Sequence, residues 1–134
     1  LSGPLLDRFD LRIDVHRPDP SQLLTTDRAE ASSVVAARVR VARGRANDRG
    51  VRCNAELSTS ALERSAPLST DAAALIERSL ESGRLSARGM RRVWRVARTI
   101  ADLDRHDGPL SSEHVASALH LRCVPSFLAP MTAN

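Results

Sequence analysis

One short segment near the start of the chain has the alternating apolar and polar residues of a β-strand, and the segments that follow it have the residue spacing of helices. Apolar and polar residues alternate strictly from Phe9 to Val15, and this period of two is typical of a strand. A single strand has no neighbour with which to form backbone hydrogen bonds. We therefore expect this strand to come from the sheet of a larger protein, and residues 1–15 to be extended or disordered without that sheet.

Helix signals begin near residue 29 and recur to the end of the chain. Serines stand where N-caps are expected, glycines or prolines stand where helices should stop, and apolar residues recur every three or four positions. These signals predict a first helix from Ala29 to about Ala46, with Val34, Val35, Val39, Val41 and Ala42 on its buried face. They predict later helices from Ser58 or Thr59 to before Pro67, from Ser69 to Gly83, from Ala87 to about Arg105, and after Ser111.

The predicted fold class is therefore all-α: a bundle of four or five helices with a short extended N-terminal arm. Pro18 and Pro20 separate the arm from the helices, because proline interrupts both helices and strands. We predict that residues 1–16 end a preceding domain, that 17–28 form a linker, that 29–124 form the helical domain, and that 125–134 form an irregular tail.

The positive charge of the chain comes from arginine alone. All 20 basic residues are arginines, and the net charge is +4. The arginine fork suits phosphate, but a GC-rich genome produces the same composition, so charge alone does not indicate a nucleic-acid partner. Cys53 and Cys123 lie far apart in the sequence and lack metal-type spacing, so we expect reduced thiols in preference to a disulfide. No segment has the length or pattern of a membrane span or a signal peptide, so we expect a soluble cytoplasmic protein without a membrane partner.

Two sequence blocks carry a family resemblance. The first is Ser2-Gly3-Pro4-Leu5-Leu6-Asp7-Arg8-Phe9-Asp10-Leu11, and the second is Leu85-Ser86-Ala87-Arg88-Gly89 followed by residues 95–103, Arg-Val-Ala-Arg-Thr-Ile-Ala-Asp-Leu. Together they resemble the magnesium-chelatase-like branch of AAA+ ATPases, especially its ComM/YifB-type members. The resemblance implies the C-terminal lid domain of such an ATPase, with the last strand of the ATPase core attached.

The resemblance also implies roles for two arginines. Arg8 matches the arginine finger, which reaches ATP bound by a neighbouring subunit and stabilises negative charge in the transition state. Arg88 matches sensor 2, which projects from the lid toward ATP bound by its own subunit. The implied partners are the chain's own AAA+ core and the neighbouring subunits of a ring, a hexamer in this branch. From the residues alone, both remain open to interpretation as solvated arginines.

ATP and Mg²⁺ are implied for the parent protein only. The phosphate-binding Gly-x-x-x-x-Gly-Lys-Ser/Thr loop requires a lysine, and the chain contains none. No apolar strand ends in an acidic pair that would hold magnesium. We therefore expect this segment to bind no cofactor or metal and to hydrolyse no ATP alone. The histidines, including His114 and His120, have no metal-ligand spacing and are expected at the surface.

Two arginine-rich segments are candidate nucleic-acid or intersubunit contacts. On the longest predicted helix, residues at helical spacing form a stripe that we interpret as a solvated or intersubunit face, with Asp102 available to pair with Arg98. This stripe comprises Arg88, Arg91, Arg95 and Arg98. The other segment comprises Arg38, Arg40, Arg43, Arg45, Arg49 and Arg52, with no aromatic residue nearby to stack on bases.

Three functional hypotheses remain. The first is the lid of a ring ATPase acting on DNA, because ComM-type proteins are implied to be branch-migration helicases; the lid of a metal-chelatase subunit is its variant. The second is a freestanding basic helical module that binds nucleic acid. The third is an oligomerisation domain, suggested by the many small apolar residues.

Overall fold

The computed structural model describes residues 8–15, 17, 19–24 and 29–122, and all regular secondary structure within them is helical. The predicted all-α fold is confirmed, with five α-helices after residue 29. The elements are α1 (Pro20–Leu24), α2 (Ser32–Asp48), a 3₁₀ helix (Asn54–Glu56), α3 (Thr59–Ser65), α4 (Thr70–Glu81), α5 (Ala87–Leu103) and α6 (Ser112–Arg122). None of these helices is long and apolar enough to cross a membrane.

The predicted cap residues begin three of the helices. Ser58, Ser69 and Ser86 precede α3, α4 and α5, and the hydroxyl of each accepts a hydrogen bond from the backbone N–H three residues later, at 3.0 to 3.2 Å. A cap of this kind satisfies one of the N–H groups that the first turn leaves without a partner. Gly83 follows α4 with a φ of +70°, a conformation that glycine adopts without steric cost.

Helix α5 is the centre of the bundle and packs against α2, α3, α4, α6 and the 3₁₀ helix. Most of its apolar residues recur every three or four positions and face inward, and the buried Nε1–H of Trp94 donates to the carbonyl oxygen of Ala66 at 2.7 Å. The core is aliphatic apart from this tryptophan. It contains Leu57, Leu62, Ala66, Ala72, Ile76, Leu85, Val93, Ala97, Ala101, Leu110, Val115 and Ala118.

Two loops at one end of the bundle are joined by backbone hydrogen bonds. The N–H of Ser69 donates to the carbonyl of Leu110 at 2.9 Å, and the N–H of Leu110 donates to the carbonyl of Pro67 at 2.7 Å. Leu68 and Leu110 thereby form an isolated parallel bridge. These bonds satisfy backbone groups close to the core, where an unpaired group would cost free energy, and they fix the turn from which α6 begins.

The predicted buried face of α2 is wrong for its four valines and confirmed for Ala42. Helix α2 runs antiparallel to α5, because Arg45 pairs with Asp107 whereas Arg49, one turn later, pairs with Asp102. Only the C-terminal half of α2 therefore overlaps the bundle, where Ala42 is buried together with Ala46. The four valines that we expected in the core are 38% to 48% exposed. They are Val34, Val35, Val39 and Val41.

The arm forms no strand in its described residues, and Phe9 to Val15 lack regular secondary structure. The side chains of Phe9, Leu11, Ile13 and Val15 are 48% to 90% exposed. That this segment belongs to the sheet of a larger protein stays a prediction. Residues 2–7 of the first motif and the tail from residue 123 lie outside the described part of the chain, as does Cys123. Within the predicted linker, Pro20 begins the short α1, since proline is tolerated in a first helical turn.

His114 is buried, so the expectation of a surface histidine is wrong for this residue, whereas His120 is exposed. The N–H of Ser111 donates to Nδ1 of His114 at 3.1 Å, which makes Nδ1 an acceptor, and Nε2 lies 3.6 Å from a carboxylate oxygen of Asp104. Burial lowers the pKa of His114, and the neighbouring His106 lowers it further. The imidazole therefore folds in its neutral form.

This burial predicts a loss of stability in mild acid. The unfolded chain takes up a proton on His114 below pH about 6.5, whereas the folded chain resists it, so the free energy of unfolding should fall as the pH falls through that value. Urea denaturation between pH 7.5 and 5.5 measures this dependence. A His114→Gln variant should show a smaller pH dependence than the parent chain, and an equal dependence in both would contradict the assignment.

Candidate functional site

Helix α5 carries five arginines, and they divide into two groups. Arg92, Arg95 and Arg98 are half-buried or buried and bind other parts of the chain. Arg88 and Arg91 are exposed, and neither has an ion-pair or hydrogen-bond partner among the described residues. The five side chains thus occupy different environments along one helix, and only two guanidinium groups are free for contacts outside the domain.

The interpretation of Arg95 and Arg98 as part of a solvated stripe is wrong. Nε and Nη2 of Arg95 both donate to the carbonyl oxygen of Leu57, at 3.0 and 2.7 Å. Arg98 is 3% exposed, and its Nη2 donates to the carbonyl of His106 at 2.7 Å. Burial lowers the pKa of Arg98. Both arginines hold loops against α5, so neither presents its guanidinium to a nucleic acid or a neighbouring subunit.

Asp102 is the centre of a buried polar cluster that joins α2, the 3₁₀ helix and α5. Its carboxylate is fully buried and forms ion pairs with Arg98, at 3.1 Å, and with Arg49. The predicted pairing of Asp102 with Arg98 is therefore confirmed. Asn54 donates from Nδ2 to Asp102 at 2.7 Å and to the hydroxyl of Thr99 at 3.1 Å. A buried carboxylate needs such partners because its desolvation is costly.

Arg88 lies in the first turn of α5, two residues after the cap Ser86. The backbone dipoles of a helix place partial positive charge at its N-terminus, and the first turn of α5 contains no acidic residue. An exposed guanidinium at this point adds to the positive potential instead of neutralising it. The arrangement fits an anionic ligand that approaches from outside the domain.

The first turn of α5 is also packed closely by Arg122 of α6. Gly89 is buried, and a Cβ atom there would lie 3.2 Å from Nη2 and 3.3 Å from Nε of Arg122. A larger residue would displace this guanidinium or the side chain of Leu85. Glycine therefore allows the end of α6 to lie directly against the turn that carries Arg88.

The arm is attached to the same end of the domain through its backbone. Nη1 of Arg92 donates to the carbonyl of Arg8 and, at 2.8 Å, to the carboxylate of Asp10. Nη1 of Arg122 donates to the carbonyl of Phe9 at 3.1 Å, and the N–H of Arg12 donates to the carbonyl of Leu121 at 2.7 Å. The backbone of the arm is thus held by α5 and α6, whereas the side chain of Arg8 is exposed.

Most arginines of the second basic segment are paired within the domain. Four of the six form ion pairs: Arg38 with Glu30, Arg45 with Asp107, Arg49 with Asp102 and Arg52 with Glu56. Hydrogen bonding to the partner arginine lowers the pKa of both Asp107 and Glu56. Arg43 donates to the carbonyl of Arg52 at 3.2 Å. Arg40 alone of the six has no partner in the described parts of the chain.

An open apolar cavity of about 250 Å³ lies between α2 and the C-terminal half of α5. Val39 and Leu103, both partly exposed, form its rim, and Cys53 and Asn54 contribute to its wall. The cavity contains no arrangement of acids or histidines that could bind a metal, and no such cluster occurs elsewhere in the described residues. Cys53 is a free thiol.

The sequence motifs did not reveal the roles of Arg92 and Arg122. Arg92 lies on a helix where five arginines share the same local pattern, whereas Arg122 is the one arginine of α6, and the partners of both are more than 80 residues away in the chain. One signal was present: Asp10, an acid on the polar side of the arm, can pair with an arginine. Spacing along the chain could not identify which arginine that partner would be.

The buried cluster yields a stability prediction. An Asp102→Asn substitution keeps the side-chain volume but leaves Arg98 buried beside Arg49 without a carboxylate, so the free energy of unfolding should fall by about 3 kcal/mol. Urea denaturation measures the change. The matched control is Asp107→Asn, which breaks the exposed pair with Arg45 and should change stability little. Equal effects of the two substitutions would contradict the structural importance of the cluster.

Comparison with known proteins identifies the family. Residues 29–122 match the family described as "Magnesium chelatase, subunit ChlI C-terminal". The chain is 37% identical over 133 residues to Competence protein ComM of Haemophilus influenzae, which covers 98% of this chain and 26% of ComM.

Two further relatives support the same family. Uncharacterized protein YifB of Escherichia coli is 36% identical over 129 residues, which cover 96% of this chain and 25% of YifB. Uncharacterized protein Rv2897c of Mycobacterium tuberculosis is 41% identical over 126 residues, 91% of this chain and 25% of that protein. The chain thus spans about a quarter of the length of these relatives. It belongs to the magnesium-chelatase-like family of the ComM and YifB type, as a C-terminal helical domain.

Proposed function

We propose that this domain is the lid of a ring-forming AAA+ ATPase, in which Arg88 contacts the nucleotide of its own subunit and Arg8 contacts the nucleotide of the next. The observation that carries this proposal is the exposure of these two arginines, which on α5 only Arg91 shares with Arg88. Around them, Arg92, Arg95 and Arg98 are all engaged within the domain, whereas the side chains of Arg8 and Arg88 are exposed. A group that binds an external phosphate must be free in this way.

ATP fits the chemistry of the Arg88 end of the domain. An exposed guanidinium beside the first turn of α5 offers charge-assisted donors to phosphate oxygens. The described residues contain no acidic cluster for Mg²⁺, and the chain has no lysine for a phosphate-binding loop. We therefore assign the nucleotide cradle and the metal to the AAA+ core of the parent protein. ATP supplies the phosphoryl group whose transfer drives the machine, and Arg88 binds and orients that group from the lid.

The position of Arg8 suits action on a neighbouring subunit. The backbone around Arg8 is held against the domain by Arg92 and Arg122, whereas its side chain projects into solvent. A held backbone reduces the entropy lost when the guanidinium binds phosphate. Arginine is suited to the role because it stays ionised and can bind two oxygens at once. Arg8 therefore completes the site of the next subunit, in a ring that we take to be a hexamer.

We further propose DNA as the substrate of the parent protein, which would act as a branch-migration helicase. The support is the likeness to Competence protein ComM along nearly the whole chain. A metal-chelatase subunit is the alternative within the family. In either case we expect the lid to move as a rigid body on nucleotide binding. Arg88 lies in the first turn of α5, and the other helices of the bundle pack on α5 and would move with it.

Replacement of Arg88 should impair ATP hydrolysis without unfolding the domain. In the full-length protein, Arg88→Ala should lower kcat by about 100-fold, since one lost donor to transition-state charge has an effect of that order. The charge reversal Arg88→Glu should be more severe. ATPase kinetics and circular dichroism measure both quantities. Arg91→Ala, on the same helix and equally exposed, is the matched control and should retain activity; a normal kcat for Arg88→Ala would refute the sensor role.

A freestanding nucleic-acid-binding module remains the second candidate, favoured by the concentration of arginines along α2. Because four of its six arginines are paired internally, the lid proposal predicts weak DNA binding by this domain. Fluorescence anisotropy with a 20-base-pair duplex at several salt concentrations should give a slope of about −2 or shallower on logarithmic axes. Arg40→Ala should reduce that slope, whereas Arg64→Ala on α3 should not. A slope of about −5 or steeper would favour the basic module.

A further inference from the structure

We infer that Arg92 is a positioning residue that ties the Arg8-bearing arm to helix α5, so that the free arginines of one subunit move together. The inference rests on the proposed function, because it assigns Arg92 a role only through Arg8. Its evidence is the set of contacts that Arg92 makes. One guanidinium nitrogen, Nη1, donates to both the carbonyl of Arg8 and the carboxylate of Asp10.

The environment of Arg92 makes this contact selective. Its side chain is 17% exposed, against 50% for Asp10, so the ion pair lies between a mostly covered cation and a half-exposed acid. Partial exclusion of water strengthens such a pair relative to a fully solvated one. Arg91, the adjacent residue, is exposed and has no partner within the described residues. Among the arginines of α5, it is therefore Arg92 in particular that binds the arm, and not the general positive charge of the helix.

The location of Arg92 connects the two candidate phosphate ligands. Arg92 follows Arg88 by four residues, which is one helical turn and a rise of about 6 Å. The same side chain holds the backbone of Arg8. Any rotation of α5 that follows the binding of a nucleotide near Arg88 is thus transmitted to the segment that presents Arg8.

Arg122 provides a second attachment at the same place. It donates to the carbonyl of Phe9, and its guanidinium lies against Gly89, next to Arg88. The N–H of Arg12 also donates to the carbonyl of Leu121. These contacts come from α6, which packs along α5, so both attachments belong to one rigid unit. Arg92 contributes an ion pair with a charged group of the arm, the carboxylate of Asp10.

The functional consequence is communication between adjacent sites of the ring. Arg88 responds to the nucleotide of its own subunit, and Arg8 acts on the nucleotide of the next. With Arg92 in place, closure of one lid sets the position of the finger at the neighbouring site. Without Arg92, the finger remains present but is poorly placed, and a displacement of about 1 Å is enough to slow catalysis by up to about 100-fold.

The first test uses this domain alone. In the 134-residue chain, Arg92→Gln should increase hydrogen exchange in the arm, and above all at the N–H of Arg12, which is bonded to α6. Arg92→Lys retains a cationic donor and should preserve most of the protection. Arg91→Gln is the matched control and should have no effect. Unchanged exchange in Arg92→Gln would overturn the positioning role.

The second test uses the full-length protein and compares Arg8→Ala, Arg92→Gln and the double variant. We expect Arg92→Gln to lower kcat at least 10-fold, to leave ATP affinity unchanged, and to be rescued by Arg92→Lys. The double variant should be no slower than Arg8→Ala, because both changes act through the same guanidinium. A double variant slower by the product of the two single effects would overturn the inference.

The two proposals fail in distinguishable ways. If Arg8→Ala is slow but Arg92→Gln turns over normally, only the positioning role of Arg92 is wrong. If Arg8→Ala itself turns over normally, the finger assignment is wrong, and the positioning role is overturned with it. A loss of helical circular dichroism in Arg92→Gln that Arg92→Lys does not restore would show that Arg92 stabilises the fold instead of placing Arg8.

Discussion

The ion pairs of Asp102 are the interaction on which the arrangement of this domain most depends. A carboxylate with no exposed surface binds Arg98 of its own helix and Arg49 at the end of α2. Asn54 binds the same carboxylate from the 3₁₀ helix. One residue near the C-terminus of α5 thereby fixes α2 and the loop after it. The remainder of the bundle packs around α5 through an aliphatic core with a single tryptophan.

The two ends of helix α5 have different environments, and this difference would let the helix transmit motion. At the C-terminal end the polar groups are buried and paired, so the helix cannot shift there without exposing charge. At the N-terminal end, Arg88 is exposed beyond the cap Ser86, and Arg92 and Arg122 bind the arm. Any movement of this end would therefore be passed to the arm and to the helices that pack on α5. This is the mechanical property that the proposed lid function requires.

The helical architecture could be predicted because its signals are local. Ser58, Ser69 and Ser86 act within one turn of their own position, and each begins a helix where its sequence context indicated. The burial of α2 could not be predicted, because the spacing of Val35 and Val39 is the same whether or not another helix covers them. Exposure there follows from the antiparallel overlap of α2 with α5, which depends on residues 53 to 62 positions apart.

In the candidate site, too, the contacts between distant residues could not be predicted from the sequence. Resemblance identified Arg8 and Arg88, and the structure shows both as exposed. Sequence spacing alone grouped Arg88, Arg91, Arg95 and Arg98 as equivalent, although Arg98 is buried and Arg95 holds a loop. The difference between a structural and a free arginine is set by tertiary contacts such as the carbonyl of Leu57, which no helical period can reveal.

In the proposed ring, Arg88 and Arg8 contact one nucleotide from opposite sides of a subunit boundary. The most direct measurement is a cryo-electron-microscopy structure of the full-length protein assembled with a non-hydrolysable ATP analogue. Arg88 should lie within hydrogen-bonding distance, about 3 Å, of the γ-phosphate in its own subunit, and Arg8 of the adjacent subunit should lie at a similar distance from the same phosphate. An assembled ring with nucleotide bound and both guanidinium groups in solvent would contradict this arrangement.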